Sequence, residues 1–459
     1  MELLIKTGNY RKLTIYLLLI SAIVVFYQFV EPPEILSSTN WNVLFIFSLA
    51  VFLWVTQFIP LPATSLLVIT LLIAFKVNTP EAVFSSFANS TVFFLIGAFM
   101  LGSAIQSAGL CENFVVRVLK IVGPSPRKIS IVFYSLALIS SFVIQAHVVV
   151  TVFIPVVTGF AQLIRKEFPE TKFPKFLYIA VAWGAIIGST GTLLGSGRAP
   201  LANSLFTEVN QVEISFLSWA ATGIPLALLL GVIGYYVLKI AIPIDAHSVR
   251  SSFDHAIASW EKPRSTYSQI QVGVIFSFTL VLWALFSSSL GNATVAFIGV
   301  LLLIITNSAS WKTLEQGVNW EIIFIFGGSI ALGSALVDTK AIEVLTQFLP
   351  EVSTGTLQVI CSAISIFGTE VINNTAVVTT LLPIGLSLSE SGIHSEIITY
   401  ALTFSAGIGI ITPMSTPGMA MILSTTDVKV KDVLAIGILF KLICFVVINL
   451  YLATIYLWS

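Results

Sequence analysis

Two apolar stretches of this chain, residues 129–163 and 356–390, are too long for one membrane crossing and carry polar residues at their centres. About 20 helical residues span a bilayer core. A much longer run must turn back or break, and backbone freed at that depth has to face protein or a water-filled cavity. The same thirteen-residue segment lies in both stretches, 228 positions apart: Val143 to Pro155 reads VIQAHVVVTVFIP and Val371 to Pro383 reads VINNTAVVTTLLP. Six of the thirteen positions are identical. Each copy holds a polar triplet, Gln145-Ala146-His147 in one and Asn373-Asn374-Thr375 in the other. Polar groups at membrane depth are costly and tend to line a substrate or ion path. Two copies, one per half, point to a transporter built from internal repeats.

The rest of the chain fits a membrane protein. It is 56% hydrophobic and 10% charged, whereas soluble domains carry about 25% charged residues. Apolar segments recur at 13–30, 42–59, 62–77, 91–108, 129–163, 176–206, 215–242, 268–288, 291–307, 321–338, 356–390, 396–426 and 432–457. The first follows Lys6, Arg11 and Lys12 and has no A-x-A-like cleavage site, so it reads as a retained membrane helix. Cys111, Cys361 and Cys444 are far apart and form neither a disulfide ladder nor a metal-spaced cluster. A net charge of zero singles out no partner by charge, and no nucleic-acid partner is expected.

Two further segments are interrupted. Residues 188–200 read GSTGTLLGSGRAP and residues 409–418 read GIITPMSTPG. Gly and Pro in mid-span break helices, and discontinuous helices coordinate ions and anions in secondary transporters. Each follows one of the two long stretches, so the unit of hairpin plus broken helix occurs twice. The expected fold is an all-α polytopic membrane protein with about eleven transmembrane helices and two re-entrant hairpins. An N-terminal region, 1–41, precedes repeat 1 (42–242, hairpin 129–163, broken helix 176–206). A polar linker, 243–267, leads to repeat 2 (268–459, hairpin 356–390, broken helix 396–426). With the N-terminus cytoplasmic, this arrangement puts 18 of the 22 Lys and Arg residues on the cytoplasmic side, as the positive-inside rule demands. The C-terminus is then outside, and the hairpins enter from opposite faces, as inverted repeats require.

With these elements in place, the chain resembles the divalent anion:sodium symporter (DASS) family of dicarboxylate and sulfate carriers along essentially its whole length. In that family each hairpin tip carries Ser-Asn-Thr and each broken helix a Thr-Pro-Pro-like loop. Asn373-Asn374-Thr375, preceded by Thr369-Glu370, fits the second tip, and Ser415-Thr416-Pro417-Gly418 fits the second loop. The resemblance implies a sodium site from Thr369, Asn373, Asn374 and Ser415, and substrate contacts from Asn374, Thr375, Thr416 and Pro417. It also implies a homodimer in the cell membrane working by an elevator motion. The chemistry agrees: Asn amides and Thr hydroxyls can bind a carboxylate, and oxygen ligands suit a hard cation. The alternative is that these groups join helices by hydrogen bonds.

The first half departs from the family. Gln145, Ala146 and His147 stand where Ser-Asn-Thr is expected, and Arg198 stands near a family proline in the loop Gly195-Ser196-Gly197-Arg198. Ser141 and Gly195 match first-sodium positions, but the tip ligands do not, which leaves that site short of ligands. Gln145, His147, Ser196 and Arg198 are therefore candidate substrate contacts. Arg198 suits bidentate carboxylate or sulfate recognition and, with His147, could replace one sodium charge. Against this, His147 could bridge helices as a neutral imidazole, and Arg198 could snorkel or pair with Glu370. Lys441 reads as a snorkelling residue. Glu370 either binds a cation or orients its hairpin. Segment 111–128 reads as an amphipathic surface helix.

The expected function is sodium-coupled transport of a C4-dicarboxylate such as succinate or malate, with reduced ion coupling. A sodium-independent exchanger, a sulfate or citrate carrier and an anion channel are the alternatives. An enzyme is not expected: no P-loop, H-E-x-x-H or Rossmann fingerprint is present.

Overall fold

The computed structural model describes residues 36–56, 58–245, 249–250, 253, 266–341, 352–389 and 392–458. The expected span at 13–30 and most of the linker 243–267 lie outside them. The described residues form helices and no strands. In chain order these are α1 (Ser38–Thr56), α2 (Leu61–Ala74), α3 (Pro80–Ser85), α4 (Ser90–Ala108), α5 (Leu110–Val122), α6 (Pro126–Ser140) and α7 (Ala146–Glu167). Next come α8 (Phe173–Gly188), α9 (Arg198–Asn210), α10 (Phe216–Ala241), α11 (Thr266–Leu290), α12 (Asn292–Ile305), α13 (Trp311–Gln316) and α14 (Trp320–Asp338). The chain continues through α15 (Thr354–Gly368), α16 (Asn374–Ser387), α17 (Ile393–Ala406), α18 (Pro417–Thr425) and α19 (Val430–Trp458).

Both long apolar stretches are helix–turn–helix hairpins, α6–α7 and α15–α16. Their first arms, α6 and α15, have 15 residues each, about 22 Å at 1.5 Å per residue. That is less than a hydrocarbon core of about 30 Å. The first hairpin starts at Pro126, so of the expected surface helix only 111–122 falls in a separate element, α5. Both expected interruptions are present, between α8 and α9 and between α17 and α18. Six helices are long and apolar enough to cross a membrane, judged among the described residues.

The hairpins and broken helices form one packed group with α10 and α19. Each intact half of a broken helix lies against its own hairpin: α8 against α6 and α7, α17 against α15 and α16. The distal halves cross over, so that α9 packs on α16 and α18 packs on α7. Aromatic residues hold the group together. Trp183 of α8 is fully buried, stacks on Phe440 of α19 at 5.2 Å and donates Nε1–H to the Ile410 carbonyl at 3.3 Å. A second group, α1, α2, α4, α11, α12 and α14, meets the first through α9, α10 and α16. At that boundary Glu208 of α9 accepts hydrogen bonds from Asn89 Nδ2 at 3.3 Å and Ser334 Oγ at 3.2 Å. The helix α5 touches α4 of the second group and α6 of the first.

Ion pairs gather at one end of the first group: Arg165 meets Asp427 at 2.6 Å and Lys175 meets Asp432 at 2.9 Å. The Arg165–Asp427 side chains are 38% and 42% exposed, so the pair contributes little to stability. Thermal unfolding in detergent should therefore separate two variants. Asp427→Ala should change stability by about 1 kcal/mol or less. Trp183→Ala, which empties a core position, should cost about 3–5 kcal/mol.

Candidate functional site

The hairpin tips and the broken-helix loops meet, and they do so by the same bonds in both halves. At the first tip the Ala146 N–H donates to the Gly195 carbonyl at 3.1 Å; at the second the Asn374 N–H donates to the Ser415 carbonyl at 3.3 Å. The Thr192 hydroxyl donates to the Phe142 carbonyl, and the Thr412 hydroxyl donates to the Glu370 carbonyl at 2.8 Å. Backbone groups released by the breaks are thus satisfied within protein. Gly195 is needed for this closeness, because a Cβ there would lie 2.5 Å from the Ser141 carbonyl oxygen and 2.7 Å from that of Ser189.

A cavity of about 310 Å³ opens where these elements converge. Its wall holds Gln145, His147, Ser196, Arg198, Asn374, Thr375, Thr416 and Pro417, all eight expected substrate contacts. They come from the first turns of four helices or the residues just before them: α7, α9, α16 and α18. Helix N-termini carry partial positive charge and unpaired N–H groups, which favour an anion. Asn373 caps α16 by accepting from the Thr375 N–H at 2.8 Å. Thr416 caps α18 by accepting from the Met419 N–H at 3.3 Å. Gln145, in the corresponding place before α7, makes no side-chain cap.

Arg198 is 2% exposed. Its Nε donates to the Thr403 carbonyl and its Nη2 to Ser189 Oγ, each at 3.2 Å. It therefore links the first loop to the last turn of α17, whose carbonyl end favours a cation. It is packed so tightly against Gly407 that a Cβ there would collide with the guanidinium. No carboxylate forms a salt bridge with it among the described residues, and it neither snorkels nor pairs with Glu370. Glu370 pairs instead with Lys441, at 2.7 Å. Lys441 is 1% exposed, which corrects the expectation of a snorkelling residue: a partner inside the fold holds the ammonium. The His147 ring lines the cavity with no hydrogen-bond partner among the described residues, so it bridges no helices by that means.

The expected sodium ligands lie around the tips. Asn373, Asn374 and Gly195 are in the cavity wall, while Thr369, Ser415 and Ser141 are fully buried. Ser141 and Thr369, 228 positions apart, both have buried hydroxyls with no hydrogen-bond partner. Such orphaned oxygens are what a hard cation would satisfy. At the second tip Thr369 is joined by the amide of Asn374; at the first, Ala146 supplies no side-chain oxygen. The buried Ser196 hydroxyl is also without a partner.

Sequence reasoning missed the opposite wall, where Asn319, Glu321, Ile322 and Ile325 of the α14 start face the same cavity. Asn319 before an apolar run, with an acid two residues on, is a legible helix start. What that start faces is not legible.

The chain matches a family model described as the sodium:sulfate symporter transmembrane region over residues 11–459. It is 26% identical to the sodium-dependent dicarboxylate transporter SdcS of Staphylococcus aureus, covering 86% of this chain and 82% of that one. The protein of the same name from Staphylococcus saprophyticus is 27% identical with the same coverage. Among solved structures, MtrF of Neisseria gonorrhoeae, from a report on a class of antimetabolite efflux pumps, superposes with a TM-score of 0.52 at 13% identity. That match covers 80% of this chain and 82% of MtrF, and shows likeness of fold alone. The chain is a multi-pass membrane transporter, not an enzyme, and belongs to the sodium:sulfate symporter family, the divalent anion:sodium symporters.

Proposed function

We propose that the protein carries a divalent organic anion, a C4-dicarboxylate such as succinate or malate, coupled to sodium with fewer ions than two complete sites would take. The observation that carries this reading is Arg198: a buried cation with no carboxylate partner among the described residues, on a cavity that the N-termini of α7, α9, α16 and α18 line. A volume near 310 Å³ falls at the small end of ligand sites, roughly 300–1,000 Å³. The names of the staphylococcal relatives support the dicarboxylate and the sodium.

In this mechanism the Asn374 amide and the Ser196 hydroxyl donate hydrogen bonds to the substrate carboxylates, while Thr375 and Thr416, whose hydroxyls donate to Asn374 Oδ1 at 3.3 Å and to the Gly409 carbonyl at 3.2 Å, shape the wall with Gln145, His147 and Pro417. Arg198 balances the charge. Thr369, Asn373, Asn374 and Ser415 hold sodium at the second tip. Ser141 and Gly195 remain of the first site, whose charge Arg198 supplies in fixed form. Sodium enters as cargo, and its charge offsets the anion's. The hairpins and broken helices then move as one body against α1, α2, α4, α11, α12 and α14, in an elevator with inverted repeats. The protein works as a homodimer in the cell membrane. Its N-terminus is cytoplasmic and its C-terminus outside, and the Arg165–Asp427 and Lys175–Asp432 pairs support a shared cytoplasmic end.

The test is uptake of labelled succinate into proteoliposomes, empty or succinate-loaded, with and without an inward sodium gradient. Sodium-dependent uptake into empty vesicles is the expected result. Uptake confined to loaded vesicles and indifferent to sodium would make the protein an exchanger, the second reading that Arg198 and Ala146 favour. Uptake of sulfate or citrate but not succinate would overturn the substrate. Flux that neither saturates nor shows counterflow would mean a channel.

Two substitutions probe the residues. Arg198→Gln, checked for folding by size-exclusion chromatography, should weaken succinate by roughly 2–5 kcal/mol, roughly thirtyfold or more. Near-normal uptake would remove Arg198 from the site. Thr369→Val should raise the sodium concentration for half-maximal uptake by about tenfold. Ser141→Ala, at the incomplete site, should leave that value close to wild type. Equal effects of the two would mean that both sites are built.

A further inference from the structure

Glu370 lies in the turn of the second hairpin and grips the neighbouring loop by its main chain. Oε1 accepts from the Ile410 N–H at 3.0 Å, Oε2 from the Thr412 N–H at 2.8 Å, and both accept from the Ile411 N–H at 3.3 Å. From α19, Lys441 Nζ approaches Oε1 to 2.7 Å and donates to the Ile366 carbonyl at 2.5 Å. The two side chains are 12% and 1% exposed. One buried ion pair therefore joins the end of α15, the hairpin turn, the loop after α17, and α19.

The first half is closed differently. Phe142 stands 228 positions before Glu370, and its ring packs on Gly191. There α10 presses directly on the loop: a Cβ on Gly223 would lie 2.6 Å from the Gly191 carbonyl oxygen. Van der Waals contact does in the first half what charge does in the second.

The geometry points to Glu370 and Lys441 as positioning residues. The pair holds loop 407–416 against the second tip and so sets the relative placement of Thr369, Asn374 and Ser415. The last bond of that closure is the Asn374 N–H to the Ser415 carbonyl. The carboxylate oxygens accept from three main-chain amides, and such charge-assisted bonds are strong. Glutamine would turn an N–H₂ donor toward N–H donors. The functional consequence rests on the site proposed above; the clamp itself does not.

The test is the double variant Glu370→Gln/Lys441→Met, which removes both charges and leaves neither buried alone. Amide hydrogen exchange is followed in the full-length protein at 371–376 and 407–416, with 142–147 and 189–197 as the internal control. The second-half segments should exchange about tenfold faster or more, with the first half unchanged. The half-saturation concentration for succinate should rise by a similar factor while the maximal rate is largely kept. Unchanged exchange overturns the proposal. So does equal acceleration in both halves, which is general loosening, and so does faster second-half exchange with unaltered half-saturation. If wild-type protein takes up no succinate, the substrate reading fails, while acceleration confined to the second half still supports the clamp. Should the double variant fail to insert, Glu370→Asp keeps the charge, shortens the reach by one methylene, and is read the same way.

Discussion

A polypeptide that breaks its helices inside a membrane has no water to satisfy the groups it frees. The architecture around the cavity depends on how that is solved. Each tip amide finds the carbonyl of a loop residue, Gly195 or Ser415, and each loop threonine finds the carbonyl of a turn residue, Phe142 or Glu370. The interruptions are complementary rather than separately tolerated. Once they are paired, four helix starts are brought to one place, and an environment suited to anions follows from geometry before any side chain is counted.

The two halves have kept this backbone plan while parting in chemistry. The second tip retains an amide, a hydroxyl and a capping asparagine. The first has an alanine, a glutamine that caps nothing, and a buried arginine. Loss of neutral ligands and gain of a fixed charge occur at the same site. Each alone would be costly, since a cation without ligands or an arginine beside a bound ion is unfavourable. In the proposed reading the arginine stands in for one bound sodium.

Much of this was legible in the sequence because it is periodic or repeated. The recurrence of Val143–Pro155 at Val371–Pro383 marked both tips, and the Gly- and Pro-rich runs marked both loops. Those eight side chains line one cavity because the tips and loops that carry them pack together. What stayed hidden depends on partners distant in the chain. Lys441 reads from sequence as a snorkelling residue within the last span, because sequence does not show Glu370, 71 positions away, as its partner. Arg198 is held by the Thr403 carbonyl, and a main-chain acceptor has no sequence signature. The wall from Asn319 to Ile325 stayed hidden because which cavity a helix faces is set by tertiary packing.

Glu208 bears on turnover. Its carboxylate is shared between Asn89 and Ser334, across the boundary between the two helix groups. In the elevator reading, the gliding body must shed both bonds before it slides, and neither partner travels with it. A half-buried carboxylate stripped of its donors raises the activation enthalpy until water or a new donor reaches it. Passage between the two access states would then slow steeply on cooling, with the seam and not the binding pocket acting as the thermal governor of the cycle.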